Sequence, residues 1–471
     1  MIDLCFKSAV EIKRLMQTRD VSAIEVLDAH IARIERYDGV LNAVVTRCFD
    51  QARDRAREID TSWNRDVSPG ASPALAGLPI AHKDLVATKG IRTTFGSPLY
   101  ADNIPDADAL IVTRMQAAGA ITIGKTNTPE FGAGSQTFNR VFGATANPYD
   151  TARTCGGSSG GAAVSLAARF IPIADGSDTG GSLRNPAAFC NVVGFRPSPG
   201  RVPSWPSANP WSDLSTQGPM ARCVDDVALL FSVLAGPDPR TPCLSEPGST
   251  FYPVEPIDLA TLKIGFTEDF GGLPVDRAVR QSLRTFAAQL QDAGATVEEV
   301  VPDFSDATRI FHVLRAATFR QRYISMTDAQ RAQLKETIRW NFDEGMALTN
   351  EDWDWATQAR AKLLGRVADL FTRFDLIVGP TTQVQPFSLD TEWVHEIDGH
   401  AMSDYIEWMQ ACSWITVTCC PCLSLPAPFA DDLPVGAQLI APLRADKFLL
   451  SAAKAIETAT EYAARAPELG D

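Results

Sequence analysis

Two glycine-serine clusters flank one apolar segment of this chain: Gly156-Gly-Ser-Ser-Gly-Gly161 and Asp178-Thr-Gly-Gly-Ser182. Glycine loses the most backbone freedom on folding, so dense runs belong where backbone approaches a ligand closely or turns several N–H groups toward it. A serine in such a loop becomes a nucleophile once a neighbouring base takes its proton. Three arrangements of the base can be tested. The elbow G-x-S-x-G is matched at Gly157–Gly161 and would make Ser159 the nucleophile; it needs a later histidine, and His312, His395 and His400 each lie in a stretch without supporting context. Ser-x-x-Lys occurs at Ser451–Lys454, on the last helical segment and away from any glycine loop. The third arrangement uses no histidine. A lysine kept neutral by burial takes the proton of a bridging serine, which takes that of a second serine. Lys83, Ser158 and Ser182 fit this scheme, and the backbone of Thr179, Gly180, Gly181 and Ser182 can present N–H groups to an oxyanion.

The surrounding elements must hold these groups in place. Leu78–Ala81 reads as a buried strand with Lys83 at its exit, His82 beside it and Asp84 as a salt partner. A helix over Ser159–Ala168 and a strand over Ile171–Ala174 join the two clusters, and Ser182 is expected to open another helix. Gly119–Thr126 spells G-x-x-x-x-G-K-T, but its middle residues read as a strand and Pro129 interrupts any helix after it, so no nucleotide is expected there. Ser8-x-x-Glu11 and Ser22-x-x-Glu25 are capping boxes, the second opening a helix with Ile24, Leu27, Ile31 and Ile34 on one face. Residues 60–76 read as a surface loop and 196–219, with Trp205 and Trp211, as an ordered loop over a site. Residues 262–301 form a βαβ pattern striped by Val279, Leu283, Phe286 and Leu290. Residues 305–372 are mostly helical, with Trp340, Trp353 and Trp355, and Val435–Ile440 is a late strand. Interleaved strands and helices without a repeat predict one α/β domain around a largely parallel sheet.

Composition narrows the function. At 471 residues with 45% hydrophobic content the chain can bury a large core, and a net charge of −14 argues against nucleic acid and anionic membrane surfaces. No apolar run approaches the length of a membrane span, and the N-terminal residues lack the apolar core of a signal peptide. Ten cysteines are too sparse for a disulfide scaffold. The C-x-x-C of Cys419–Cys422 lies in the apolar run Ile415–Leu425, which reads as a buried strand rather than a metal or redox site. A reducing, cytoplasmic setting is expected, without metal.

The motifs together resemble the amidase-signature family of serine amidohydrolases. They are GLPIAHKD (Gly77–Asp84), GKTNTPEF (Gly124–Phe131), GATANPYD (Gly143–Asp150), GGSSGG (Gly156–Gly161), GSDTGGSLRNPAAFCNVVGFRPS (Gly176–Ser198), GPMARCVDDVALL (Gly218–Leu230) and PVGAQLI (Pro434–Ile440), in family order across nearly the whole chain. The resemblance implies an α/β/α sandwich around a mixed, mostly parallel twisted sheet, forming a single domain over 1–471. Its signature core is about 77–235, and a variable, substrate-facing helical region spans about 305–410. It also implies roles: Ser182 the nucleophile, Ser158 the bridging serine on a cis peptide, Lys83 the base, the N–H groups of Thr179–Ser182 the oxyanion hole, with Ser159, Asp178 and Arg184 in supporting positions. No metal or organic cofactor is implied.

In relatives the loop after TNTPE lines the acyl pocket. Here Gly132, Ala133 and Gly134 suggest an open pocket, and Trp205 and Trp211 an aromatic wall. The expected substrate is a small amide, anilide or carbamate, with the chain a monomer or homodimer. The main alternative is the glutaminase subunit of a tRNA-dependent amidotransferase; against it, Asp431-Asp432 stands where glycine commonly precedes LPVG, and 305–410 looks divergent. A Ser-His esterase of the elbow type and a non-catalytic binding protein are the other readings. Lys83→Ala is expected to abolish turnover near neutral pH while the fold persists. Wild-type activity in that variant would sink the lysine scheme, and loss in His395→Ala or His400→Ala would favour the elbow.

Overall fold

The computed structural model describes residues 3–66, 73–242 and 245–470. A small sheet combines β1 (Val44–Arg47), β2 (Pro79–Lys83) and β3 (Ile121–Thr126) in the order β1-β3-β2, with β2 parallel and β1 antiparallel to β3. The main sheet has eight strands: β4 (Ile173–Asp178), β5 (Val193–Arg196), β6 (Thr216–Ala221), β7 (Lys263–Phe266), β8 (Thr296–Glu299), β9 (Leu376–Pro380), β10 (Cys422–Ala430) and β11 (Leu433–Ile440). Their order is β8-β7-β9-β11-β10-β5-β6-β4. Helices flank the sheet in a single α/β domain, as expected.

The sheet is mixed, but its balance corrects the mostly parallel expectation. Only β7–β8 and β7–β9 are parallel; the pairs from β9 across to β4 are all antiparallel. One reason is the hairpin β10–β11. Its turn is Asp431-Asp432, both left-handed with φ of 48° and 60°, a geometry whose twist suits adjacent strands and which aspartate tolerates better than most residues. The βαβ unit is as expected: Val279, Leu283, Phe286 and Leu290 are buried on the helix Arg277–Asp292 between β7 and β8. Both capping boxes form, although Ile24 is only partly buried.

Some boundaries differ from expectation. The helix Phe49–Asp66 runs into the expected 60–76 loop and shortens it, and residues 67–72 of that loop lie outside the described residues. The run Ile415–Leu425 is not one strand: the helix Gln410–Thr416 ends in a turn with Cys419 left-handed, and β10 starts at Cys422. Cys420 and Cys422 are buried free thiols, and Cys419 Sγ meets Arg360 and Asp213. No described helix is long and apolar enough to cross a membrane.

The glycines of the first cluster let a helix touch backbone. The helix Gly160–Ala167 is buried throughout. A Cβ on Gly161 would lie 2.3 Å from Asn127 N, and one on Gly160 2.2 Å from Thr137 Oγ1. Gly194 of β5 plays the matching part for the second cluster: a Cβ there would lie 2.2 Å from Leu183 O, immediately behind Ser182. Gly194→Ala must therefore displace the loop carrying Ser182. It is expected to lower the melting temperature and to cut kcat by about tenfold or more, because sub-ångström misplacement of a reacting group is costly. Thermal melts with kinetics on one preparation check this.

Candidate active site

β2 delivers Lys83 to the start of the helix Gly160–Ala167, and the packing of β4 against β2 closes the site from the other side. Lys83 is completely buried. Its Nζ donates to Ser158 Oγ at 2.8 Å, Ser159 Oγ at 2.9 Å and Ser177 Oγ at 3.1 Å. The lysine comes from 75 positions before Ser158. Asp84, expected as its salt partner, instead accepts the N–H and hydroxyl of Thr94. The Gly157–Ser158 peptide is cis. Burial pulls the Lys83 amine down to about 7, against Asp175 and Asp178, whose charges favour the cation. An amine of that acidity is substantially neutral at physiological pH and can accept a hydroxyl proton.

Ser159, expected in a supporting position, has its hydroxyl in direct contact with Lys83. It also reaches Ser177 O at 3.5 Å. Ser177 belongs to none of the expected site positions. Strand alternation reveals it only once the strand is known to run to Asp178: residues 173–178 form that strand, so Asp175 and Ser177 share one of its faces.

Ser182 is 8% exposed and its carbonyl accepts the Ser159 N–H at 3.2 Å. The helix expected to begin there starts at Arg184. Asp178 shapes the loop from within: its carboxylate accepts the N–H of Gly181 at 2.9 Å and of Leu183 at 3.1 Å. Gly181 N–H is thus already engaged, which corrects its expected place among the oxyanion donors. Thr179, Gly180 and Ser182 are the expected donors whose N–H groups meet no acceptor among the described residues. Arg184 makes a double contact with Asp178, 3.0 Å from Nε and 2.9 Å from Nη2, and Arg196 adds another at 3.3 Å. Burial alone would push the Asp178 carboxyl up, but the two guanidinium groups hold it well below the usual carboxylate range. Arg184 also reaches Cys412 O, Thr416 Oγ1 and Gln438 Oε1.

A cavity of about 600 Å³ opens onto this cluster at Ser177. Leu85, Phe95, Tyr100, Phe131 and Trp205 give it an apolar wall, with Gln217 and Arg322 among its polar lining. The lining residues include no carboxylate. Trp205 lines this cavity, whereas Trp211 is 76% exposed and outside the lining. Of the small-residue loop, only Gly132 nears the serines, its missing Cβ standing 3.4 Å from Ser158 Oγ. Ala133 is buried in a side core with Tyr323 and Leu334, and Gly134 faces Lys335.

The other candidate bases stand apart from the serines. His395 packs on Trp393, His400 is exposed on a short hairpin, and His312 faces Asp404 and Trp340, so none is bonded to a serine among the described residues. Lys454 pairs with Asp225. Lys125 of the G-x-x-x-x-G-K-T run is buried on β3 and bonded to Val86 O and Thr88 Oγ1, so that run builds a strand rather than a phosphate loop.

Comparison with known proteins identifies the family. A family model described as Amidase matches residues 25–450. The chain belongs to the amidase family. It is 34% identical to the A-subunit of the glutamyl-tRNA(Gln) amidotransferase of Azotobacter vinelandii, over 97% of this chain and 98% of that one. The solved structure of a bacterial aryl acylamidase of the amidase-signature family superposes with a TM-score of 0.86 at 30% identity, covering 97% of each chain. The corresponding amidotransferase A-subunit of Thermotoga maritima gives 0.80 at 25% identity, covering 100% of this chain and 99% of that one.

The buried amine has a thermodynamic signature. Its native pKa, about 7, lies below the ordinary lysine value of 10.5, so between those values the unfolded chain binds more protons and this group makes stability rise with pH. Lys83→Met removes that dependence. The variant's melting temperature, relative to wild type, is expected to be higher at pH 6 than at pH 10; a constant difference across that range would contradict the buried-amine description.

Proposed function

We propose that this amidase-family chain hydrolyses a C–N amide-type bond through Lys83, Ser158 and Ser182. Neutral Lys83 takes the Ser158 proton as Ser158 takes that of Ser182, and Ser182 Oγ bonds to the substrate carbonyl carbon. The N–H groups of Thr179, Gly180 and Ser182 stabilise the oxyanion. The proton returns through Ser158 to the leaving nitrogen as the C–N bond breaks. Water, its proton following the same route, then releases the acid and restores Ser182. The observation that carries this reading is the buried contact between Lys83 Nζ and Ser158 Oγ at 2.8 Å. Asp178 and Arg184 act by holding the Ser182 loop, not by touching substrate.

For the substrate, the cavity lining supports a neutral amide, anilide or carbamate with an apolar or aryl group. Leu85, Phe95, Tyr100, Phe131 and Trp205 give the cavity its apolar wall, and the lining lacks the carboxylate that would pair with the ammonium group of free glutamine. A second reading has a specific observation in its favour. The curated relatives matched over nearly their full length are named as amidotransferase subunits, and sequence likeness supports that alternative better than a stand-alone amidase. In that case the chain works with companion subunits rather than as a monomer or homodimer. Asp431-Asp432 no longer weighs against it, since these residues make a hairpin turn and do not line the cavity.

Purified chain assayed on glutamine, an anilide and a carbamate, with Ser182→Ala as control, separates the readings. Hydrolysis of the anilide or carbamate by the chain alone, lost in Ser182→Ala, is the expected result. Glutamine cleavage that appears only with amidotransferase companion subunits and their tRNA would replace it with the second reading. Activity that survives in Ser182→Ala would overturn the mechanism.

A further inference from the structure

Beside the proposed base lies a buried ionisable pair that the proposed reaction does not use. His82 and Asp175 are both completely inaccessible. His82 Nδ1 lies 3.1 Å from Asp175 Oδ1, and Nε2 lies 3.0 Å from Thr122 Oγ1. The second Asp175 oxygen accepts the backbone N–H of Lys83 at 3.4 Å. Asp175 also precedes Ser177, the third hydroxyl on Lys83 Nζ, by two residues on the same strand. The pair therefore meets Lys83 twice: at its backbone, and through the strand that carries one partner of its amine.

The charges around these groups differ in how they are matched. Lys83 feels two carboxylates, Asp175 and Asp178. Asp178 is neutralised by Arg184 and Arg196. Among the described residues Asp175 pairs with no arginine; its facing groups are His82, Lys83 and Lys125, and Lys125 in turn feels Asp84, Cys48 and Asp108. As a mere fastener between β2 and β4 such a pair is a poor choice, because well-packed apolar residues generally hold buried elements at least as firmly as a buried ion pair. Its distinctive property is a field acting on the neighbouring amine.

We propose that His82 and Asp175 form a positioning pair for Lys83 that sets the pH at which its amine becomes the neutral base. The inference rests on reading Lys83 as the base and Ser182 as the nucleophile. Asp175 favours the lysine cation, and His82, by donating to that carboxylate, tempers it. Removing the anion should let Lys83 deprotonate at lower pH; removing the imidazole while keeping the anion should do the opposite.

The test uses an alkyl fluorophosphonate, which needs no knowledge of the natural substrate. Ser182 Oγ bonds to phosphorus as fluoride leaves, and the hydroxyl proton passes through Ser158 to Lys83. The labelling rate is followed by intact mass between pH 5 and pH 9, with Ser182→Ala as control. The acid limb of wild type is expected near pH 7. Asp175→Asn should move its midpoint down by about one unit, the lower end of the shifts a nearby charge produces. His82→Leu should move it up. The double variant His82→Leu/Asp175→Val removes both members of the pair together and leaves neither ionisable group without the other, so it serves where a single variant fails to fold, and its midpoint should also fall. A limb unmoved in folded Asp175→Asn and in the double variant would overturn the inference while leaving the nucleophile assignment intact. Wild type that is not labelled at Ser182 would instead overturn the reading on which it rests.

Discussion

The site depends on an amine that has lost its water. Lys83 is sealed from solvent, and three serine hydroxyls take over the contacts that water would make with its ammonium group. That exchange works only with dry surroundings and no strong anion at contact distance. A buried carboxylate close by would restore the cation, because opposite charge outweighs much of the desolvation effect. Asp178 lies near enough to be felt, and the fold answers by surrounding it with Arg184 and Arg196. The arginines thus serve the lysine as well as the loop: they occupy the anion that would otherwise compete for it.

The glycines answer the same need for dryness. A helix that presents Ser158 and Ser159 to a buried lysine must itself be buried, and side chains at Gly160 and Gly161 would collide with Thr137 and with the Asn127 backbone. Close approach of backbone to backbone expels water without an added hydrophobic wall. The pattern that looks wasteful in chain entropy is what brings the serines at the helix start into contact with the lysine of β2.

Legibility in the sequence divides along physical lines. The lysine, both serines and the loop of Ser182 are readable because each is written in a local pattern, a strand exit or a glycine cluster. The βαβ unit is readable because Val279, Leu283, Phe286 and Leu290 repeat at helical spacing. Strand direction is not: interleaved helices suggest parallel pairing, while the turn at Asp431-Asp432 depends on two left-handed residues that ordinary aspartates do not announce. Ser177 stays hidden because the apolar run stops at Ala174, three residues short of it, although the strand continues to Asp178 and its alternation puts Asp175 and Ser177 on one side. The engagement of Gly181 N–H by Asp178 is a tertiary fact; the bare motif shows four donors and gives no sign that one is spent on the loop itself.

Arg184 finds its outer partners at Cys412, Thr416 and Gln438, between 228 and 254 residues further along the chain. During synthesis, the stretch that holds the serines leaves the ribosome long before those partners do. Until they arrive, Arg184 can grip Asp178 but has nothing to brace against, and the Ser182 loop lacks its final support. Competence for chemistry is therefore a property of the completed chain: a nascent or prematurely terminated copy carries the whole motif yet lacks the scaffold that sets it.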